Sequence, residues 1–385
     1  MASIKSPLRY PGGKSRALKF LAPRVSEGFK EFREPFVGGG SMFIDMKQKH
    51  PNAKFWINDK YYHLYCFWKV LRDQPEQLQK MVQDSKNKSR ETEIANAAMK
   101  DKKKKKYPNR SELIKEGTMK ARELFKEAIA NIADAKSELE IAHYFYIINK
   151  CSYSGISEVG RSSKTKNTKK KLDSSFSPQA SIQNFTDLSI KKLLGVSELI
   201  QGTKITNIDY SFLLKENQSE TQDKDVYVFL DPPYDILKKK KTKPNEATNA
   251  LYGQDGNMHI GFDHEKLVKY LDATKVKWNM TYNNSDVLTE RYSNYNQEVW
   301  DIRYGMSFNV TSTTYFLEIH DKQKDENSCV EKYSSNSKSE YDEYIKSKQE
   351  DFPDDKYEFK KSKEEDRKMT MKKELLIGNY EWSIP

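Results

Sequence analysis

Asp225-Val226-Tyr227-Val228-Phe229-Leu230-Asp231-Pro232-Pro233-Tyr234 is the stretch that decides the fold. Its first six residues form a continuous apolar and β-branched run, the pattern of a strand covered on both faces. Two successive prolines then end it. Neither can donate to a sheet ladder and both fix φ, so the chain leaves the strand along a rigid path. Asp231 stands at that exit with Tyr234 just beyond it. Taken alone, the tetrapeptide equally describes a strand stopped by a Pro-Pro turn.

Working outward, residues 32–37 (FREPFV) read as a strand that ends in Gly38-Gly39-Gly40, and 53–58 (AKFWIN) as a second strand ending at Asp59. Helical spacing follows over 61–71 and returns over 137–149, which leads into Cys151-Ser152-Tyr153-Ser154-Gly155. Strand character recurs at 204–208 and 275–280, a helix is expected over 263–271, and ELLIGNY at 374–380 makes a final strand. This β-α-β rhythm predicts an α/β fold, a parallel-rich sheet with helices on both faces, whose ligands bind at the strand C-termini. Between these elements, 74–135 is polar, lysine-rich and broken at Tyr107-Pro108-Asn109, and reads as an inserted or accessory region. The segment 321–368 is dominated by Lys, Asp, Glu and Ser and reads as a surface insertion, partly disordered or helical.

The chain has 385 residues, enough for a sizeable core, with 36% hydrophobic and 32% charged residues. No apolar run approaches the ~18 residues of a membrane span, and the first residues lack a signal-peptide core, so a soluble, intracellular protein is expected. Cys66, Cys151 and Cys329 are odd in number and lack metal-ligand spacing, which points to a reducing compartment and no metal. A net charge of +11 suits a polyanionic partner. The lysines concentrate in runs at 102–106, 164–171 and 238–241, each in a stretch that reads as loop. Such runs meet phosphates without reading sequence, or are merely solvated.

An acidic residue followed by a proline carbonyl and an aromatic ring at a strand end suits one chemistry well. An exocyclic amine is a poor nucleophile because its lone pair is delocalised into the ring. Acceptors that grip both N–H bonds favour a tetrahedral nitrogen, and the Asp231 carboxylate with the Pro232 carbonyl offers them. Pro233 holds that carbonyl, and Tyr234 presents a face for an extruded base. The glycine turn Glu34-Pro35-Phe36-Val37-Gly38-Gly39-Gly40-Ser41 lets backbone approach a bound cofactor closely. Asp59, at the next strand end, matches the acidic residue that grips ribose hydroxyls in dinucleotide-binding sheets. None of the cysteines sits in a Pro-Cys loop suited to attack on a cytosine ring.

In order along the chain stand Pro7-Leu8-Arg9-Tyr10-Pro11-Gly12-Gly13-Lys14, the glycine turn, Asp59, 149–155, Asp209-Tyr210, DPPY and ELLIGNY. That order resembles the Dam-type DNA adenine methyltransferases, the group in which a lysine motif precedes the glycine motif. The resemblance covers residues 4–70, 140–160, 204–300 and 370–382 and leaves the lysine-rich insertions unmatched. It implies a Rossmann-like methyltransferase sheet plus a mainly helical DNA target-recognition region. The catalytic domain would comprise 1–72, 200–320 and 370–385, target recognition 73–199, and a charged insertion 321–369.

The resemblance further implies S-adenosylmethionine as cofactor and double-stranded DNA as partner. Tyr10, Pro11, Gly12, Gly13 and Lys14 would touch the cofactor. Glu34, Pro35, Phe36, Gly38, Gly40 and Ser41 would line its methionine and ribose end, Asp59 its ribose hydroxyls, and Asp209 with Tyr210 its adenine edge. Asp231 would sit between cofactor and target. Arg9 occupies the place of a guanine-contacting basic residue, Tyr153 that of an aromatic entering the duplex, with Ser154, Gly155, Lys164 and Lys166 also facing DNA. Glu158 departs from the relatives that methylate GATC, where a basic residue follows Asn-Gly, so a GATC target is not expected. Methylation of another exocyclic amine, in RNA or cytosine, and a catalytically silent DNA-binding protein stand as alternatives.

Overall fold

The computed structural model describes residues 3–101, 103, 106–155, 176–215, 225–234, 262–323, 329–353 and 355–382. These fall into two compact units, 1–300 with 374–385, and 301–373. The first is built on a sheet that includes β1 (Glu31–Glu34), β2 (Lys54–Asn58), β3 (Lys204–Thr206), β4 (Val226–Leu230) and β5 (Lys277–Asn283), all parallel in the order β3-β2-β1-β4-β5. Beyond β5 runs the end of β8 (Tyr357–Gly378), antiparallel, with Glu374 opposite Asn283 and Gly378 opposite Asn279. The mostly parallel α/β fold class expected from the sequence is therefore present.

The strand order explains where a ligand can sit. From β1 the chain steps outward to β2 and β3, then crosses back to β4 on the other side of β1. The reversal lies between β1 and β4, the kind of switch point outside whose strand C-termini ligands bind in open α/β sheets. Glu34-Pro35 ends one of these strands and Asp231-Pro232 the other.

All five residues of β4 are buried, as its unbroken apolar run predicts. Val226, Val228 and Leu230 join Trp278, Met280 and Tyr282 of β5 on one face, against Leu267 and Leu271 of the helix His264–Ala273 and Leu288 of the helix Asp286–Arg291. On the other face Tyr227 meets Phe32 at 5.8 Å between ring centroids, Phe32 meets Phe55 at 5.6 Å, and Phe55 meets Phe43 of the helix Ser41–Lys49 at 5.9 Å. Helices thus cover both faces.

The polar stretch 74–135 folds as the helices Pro75–Asn87, Glu91–Lys100 and Arg110–Ile132. Each buries only a narrow stripe, such as Leu78 and Val82 or Ala121, Phe125 and Ala128, which is why its composition reads as polar. Gly117 lets the last two approach, since a Cβ there would lie 2.5 Å from that of Ala95. The helix Glu138–Cys151 begins at a capping box between Ser137 and Glu140 and stacks Tyr146 on Phe67 of the helix Tyr62–Asp73.

The second unit corrects the expectation for 321–368. It contains a helix, Lys338–Asp351, but also much strand: part of β6 (Asn296–Asp321), β7 (Cys329–Ser335) antiparallel to it, and part of β8. Its small core is Leu317, Ile319, Tyr341 and Ile345. With so few apolar positions, alternation along charged strands is hard to see in composition. Among the described residues, no helix is long and apolar enough to cross a membrane.

Candidate active site

Tyr10-Pro11-Gly12-Gly13 forms a tight turn closed by the Gly13 amide on the Tyr10 carbonyl at 3.0 Å, with Gly12 at φ 70°. Proline first and a positive-φ glycine second are the demands of a type II turn. The turn delivers Lys14 into the interior, where only 4% of it is exposed. Its ammonium donates to the Gly12 carbonyl at 3.0 Å, to Asp231 Oδ2 at 2.8 Å and to the Tyr234 hydroxyl at 3.0 Å, and lies 2.7 Å from Asp231 Oδ1. Thr281, on β5, donates to Asp231 Oδ1 at 2.8 Å. The Tyr234 hydroxyl donates to Glu374 Oε1 at 2.7 Å, and its ring lies 5.8 Å from that of Tyr282. The resemblance set Lys14 against the cofactor's carboxylate or the catalytic loop, and the structure brings it into contact with Asp231 and Tyr234 of that loop. Thr281 and Glu374 were missed as site residues. Glu374 opens the ELLIGNY motif, but nothing local says where its side chain ends.

At the β1 exit the glycines make room for side chains of this chain. A Cβ on Gly38 would lie 2.8 Å from the Tyr10 ring, and one on Gly40 2.7 Å from Trp68. Both glycines have positive φ, 47° and 65°, and Gly40 caps the helix beginning at Ser41. Asp59 Oδ2 accepts from the Gly38 amide at 3.0 Å and Oδ1 from the Tyr61 amide at 2.9 Å. Burial among protein atoms pushes its carboxyl up to about 6 in spite of these amides. Glu34 is buried more completely. Desolvation first, then the Asp231 charge, hold its carboxyl well above the ordinary value, and Oε2 has no hydrogen-bond partner.

Phe36, Tyr210 and Phe262 form an aromatic trio with centroids 5.2, 5.6 and 5.5 Å apart. Phe262 was not anticipated, because it precedes a helix with no motif around it. The Tyr210 hydroxyl is buried without a hydrogen-bond partner, while Asp209 takes the Ser211 amide at 3.0 Å and pairs with Lys266 at 3.1 Å.

The N-terminal arm is fastened to the helical region by Asn149. Its side chain accepts from the Arg9 amide at 3.0 Å and donates to the carbonyls of Arg9 at 2.6 Å and Gly155 at 3.1 Å. Gly155 has φ 77°, and a Cβ there would collide with the Arg9 carbonyl. The Arg9 guanidinium donates to the Ser152 carbonyl at 2.8 Å, and burial lowers its pKa. Tyr153 stands 53% exposed beside it. Lys150, buried next to Arg9, is pushed down to about 7 by desolvation and by its cationic neighbours Arg9 and Lys192. The Ser154 side chain, Glu158, Lys164, Lys166, and the runs 164–171 and 238–241 lie outside the described residues, as do 102, 104 and 105.

No metal spacing is visible in the sequence, yet the β6–β7 hairpin of the second unit gathers donor atoms of Glu318, His320 and Cys329 within 4.8 Å of one another. The Lys332 ammonium, 2.7 Å from Glu318, already supplies a positive charge there.

A parallel sheet reversed between β1 and β4, with a glycine turn on one strand exit and an Asp-Pro-Pro-Tyr on the other, defines a Rossmann-like methyltransferase. The family model for D12 class N6 adenine-specific DNA methyltransferases matches residues 10–306, more than half of the chain, and the chain belongs to that family. It is an enzyme that transfers a methyl group from a donor to adenine in DNA. The chain is similar to the Type II methyltransferase M.MjaIII of Methanocaldococcus jannaschii, 24% identical over 76% of this chain and 89% of that one. It is also similar to the Type II methyltransferase M1.LlaDCHI of Lactococcus lactis subsp. cremoris, 22% identical over 75% of this chain and 84% of that one. The expected family and reaction class are thereby borne out.

Proposed function

We propose that this enzyme takes its methyl group from S-adenosylmethionine and acts on one adenine rotated out of duplex DNA onto Tyr234. The observation that carries this reading is the joining of Asp231 and Tyr234 through the single buried ammonium of Lys14 at the β4 exit. When bound, S-adenosylmethionine supplies a methyl group on a sulfonium, electrophilic enough for a neutral amine. The residues at the β1 side suit it. The packed Phe36, Tyr210 and Phe262 rings offer an aromatic surface against which an adenine can stack. The Asp59 carboxylate, held by the Gly38 and Tyr61 amides, keeps acceptor capacity for a ribose hydroxyl. Glu34, with an unpartnered oxygen, suits an ammonium.

On the target side, Asp231 accepts from one N–H of the adenine amino group and the Pro232 carbonyl from the other. Lys14 and Thr281 hold the Asp231 carboxylate still. As the nitrogen gains positive charge, that fixed carboxylate stabilises it without reorganising, the kind of effect worth ~10²–10³ in rate. The alkylated nitrogen is acidic, so a strong base is unnecessary.

The helical region 73–199 serves target recognition, with Arg9, Tyr153, Ser154, Gly155, Lys164 and Lys166 as its DNA-binding residues. The chain's similarity to proteins named Type II methyltransferases supports a role in modifying DNA at particular sequences. Transfer of labelled methyl to mixed-sequence duplex DNA, followed by nucleoside analysis, tests the reading. Methyl-adenine should form with the wild type and drop ~10²–10³-fold or more with Asp231→Ala. Equal product from both would overturn it.

A further inference from the structure

Glu374 is a costly residue where it stands. It opens the antiparallel strand of the first unit's sheet, opposite Asn283, in a run whose next three residues, Leu375, Leu376 and Ile377, are fully buried. Only 1% of Glu374 is exposed and its Oε2 has no hydrogen-bond partner. Desolvation raises its pKa, and the nearby Lys14 charge offsets part of that. A methionine or leucine would continue the strand with no such penalty. A buried carboxylate that stability does not favour calls for a role in what it touches. It touches Tyr234.

The Tyr234 hydroxyl lies between two groups of opposite character. It accepts from Lys14 at 3.0 Å and donates to Glu374 at 2.7 Å, so both of its hydrogen-bonding directions are set. The same ammonium holds Asp231. Asp231, Lys14, Tyr234 and Glu374 therefore form one chain of bonds from the acidic group at the strand exit to the final strand. Without Glu374 the phenol keeps the lysine contact but loses the acceptor that fixes its ring against Tyr282.

We propose that Glu374 is a positioning residue for methyl transfer, holding the Tyr234 ring and, through its hydroxyl, the Lys14–Asp231 pair in the arrangement that receives the target base. This rests on the reading of Tyr234 as the surface against which the target stacks.

A double-mutant cycle in the full-length protein tests it, with kcat and KM for duplex DNA measured at saturating S-adenosylmethionine. Glu374→Met preserves volume and removes the acceptor; Glu374→Gln preserves an acceptor. Glu374→Met should lower kcat about ten- to hundred-fold, the worth of one charge-assisted hydrogen bond, with the KM for DNA changed less. Glu374→Gln should stay within ~3-fold of the wild type. In a Tyr234→Phe background, Glu374→Met should add little, because the bond is already gone. The proposal is overturned if Glu374→Met costs the same factor in both backgrounds, or if Glu374→Gln is as damaging as Glu374→Met. Tyr234→Ala separates this outcome from failure of the stacking reading. If Tyr234→Ala is no worse than Tyr234→Phe, stacking is wrong, while the cycle still reports whether Glu374 acts through the hydroxyl.

Discussion

The strand exits on the two sides of the switch point follow opposite electrostatic plans. At β4, Asp231 is matched by an ammonium at 2.7–2.8 Å and a hydroxyl at 2.8 Å. At β1 and β2, Glu34 and Asp59 are bonded to backbone amides, and burial raises the pKa of both. The matched carboxylate is prepared before anything binds, which suits a group that must meet developing charge without moving. The unmatched ones are held at a cost that a ligand bringing an ammonium or hydroxyls would relieve. On the function proposed above, the difference separates the side assigned to chemistry from the side assigned to the donor.

Removing the match should have the largest effect. Lys14→Met leaves Asp231 without its cation and Tyr234 without its donor, so methyl transfer should fall ~10²–10³-fold. Unfolding in urea should show a loss of about 3 kcal/mol, the lower end for breaking a buried pair, because Asp231 keeps some exposure. Near-normal turnover would erase the distinction between the two exits.

Glu34→Gln probes the unmatched side and should act with the opposite sign on stability. A carboxyl whose folded pKa is raised contributes stability below its ordinary value of 4.5, and that contribution is lost as pH rises through the folded pKa. The variant should therefore melt near the wild type at low pH and above it at neutral to alkaline pH. Donor affinity should drop about ten-fold, as for a lost charged hydrogen bond. A lower melting temperature than wild type at pH 8, or unchanged donor binding, would break the contrast.

Thr281→Val is the mildest test. It removes one hydrogen bond from Asp231 and leaves the Lys14 pair in place, so transfer should slow about three- to ten-fold with little change in KM. A loss as large as that of Lys14→Met would mean that the hydroxyl, not the ammonium, holds the carboxylate.

Much of this was legible in local sequence. The apolar run of β4, its Pro-Pro exit, the glycine turn and the Tyr-Pro-Gly-Gly turn follow from rules that act over a few residues, and each stands where those rules put it. The order of the motifs sufficed for the family. Composition misled in the second unit, where strands made largely of charged residues around a core as small as Leu317, Ile319, Tyr341 and Ile345 give little periodic signal.

Only the tertiary structure decided that β1 and β4 are neighbours, that Phe262 joins Phe36 and Tyr210, and that Thr281 and Glu374 belong to the site. Asp231 is 217 positions from Lys14 and 50 from Thr281, and Tyr234 is 140 from Glu374. A residue's type and its immediate neighbours set what it can donate, accept or bury. Which partner it meets depends on how strands far apart in the chain pair in the sheet, and no local pattern carries that information.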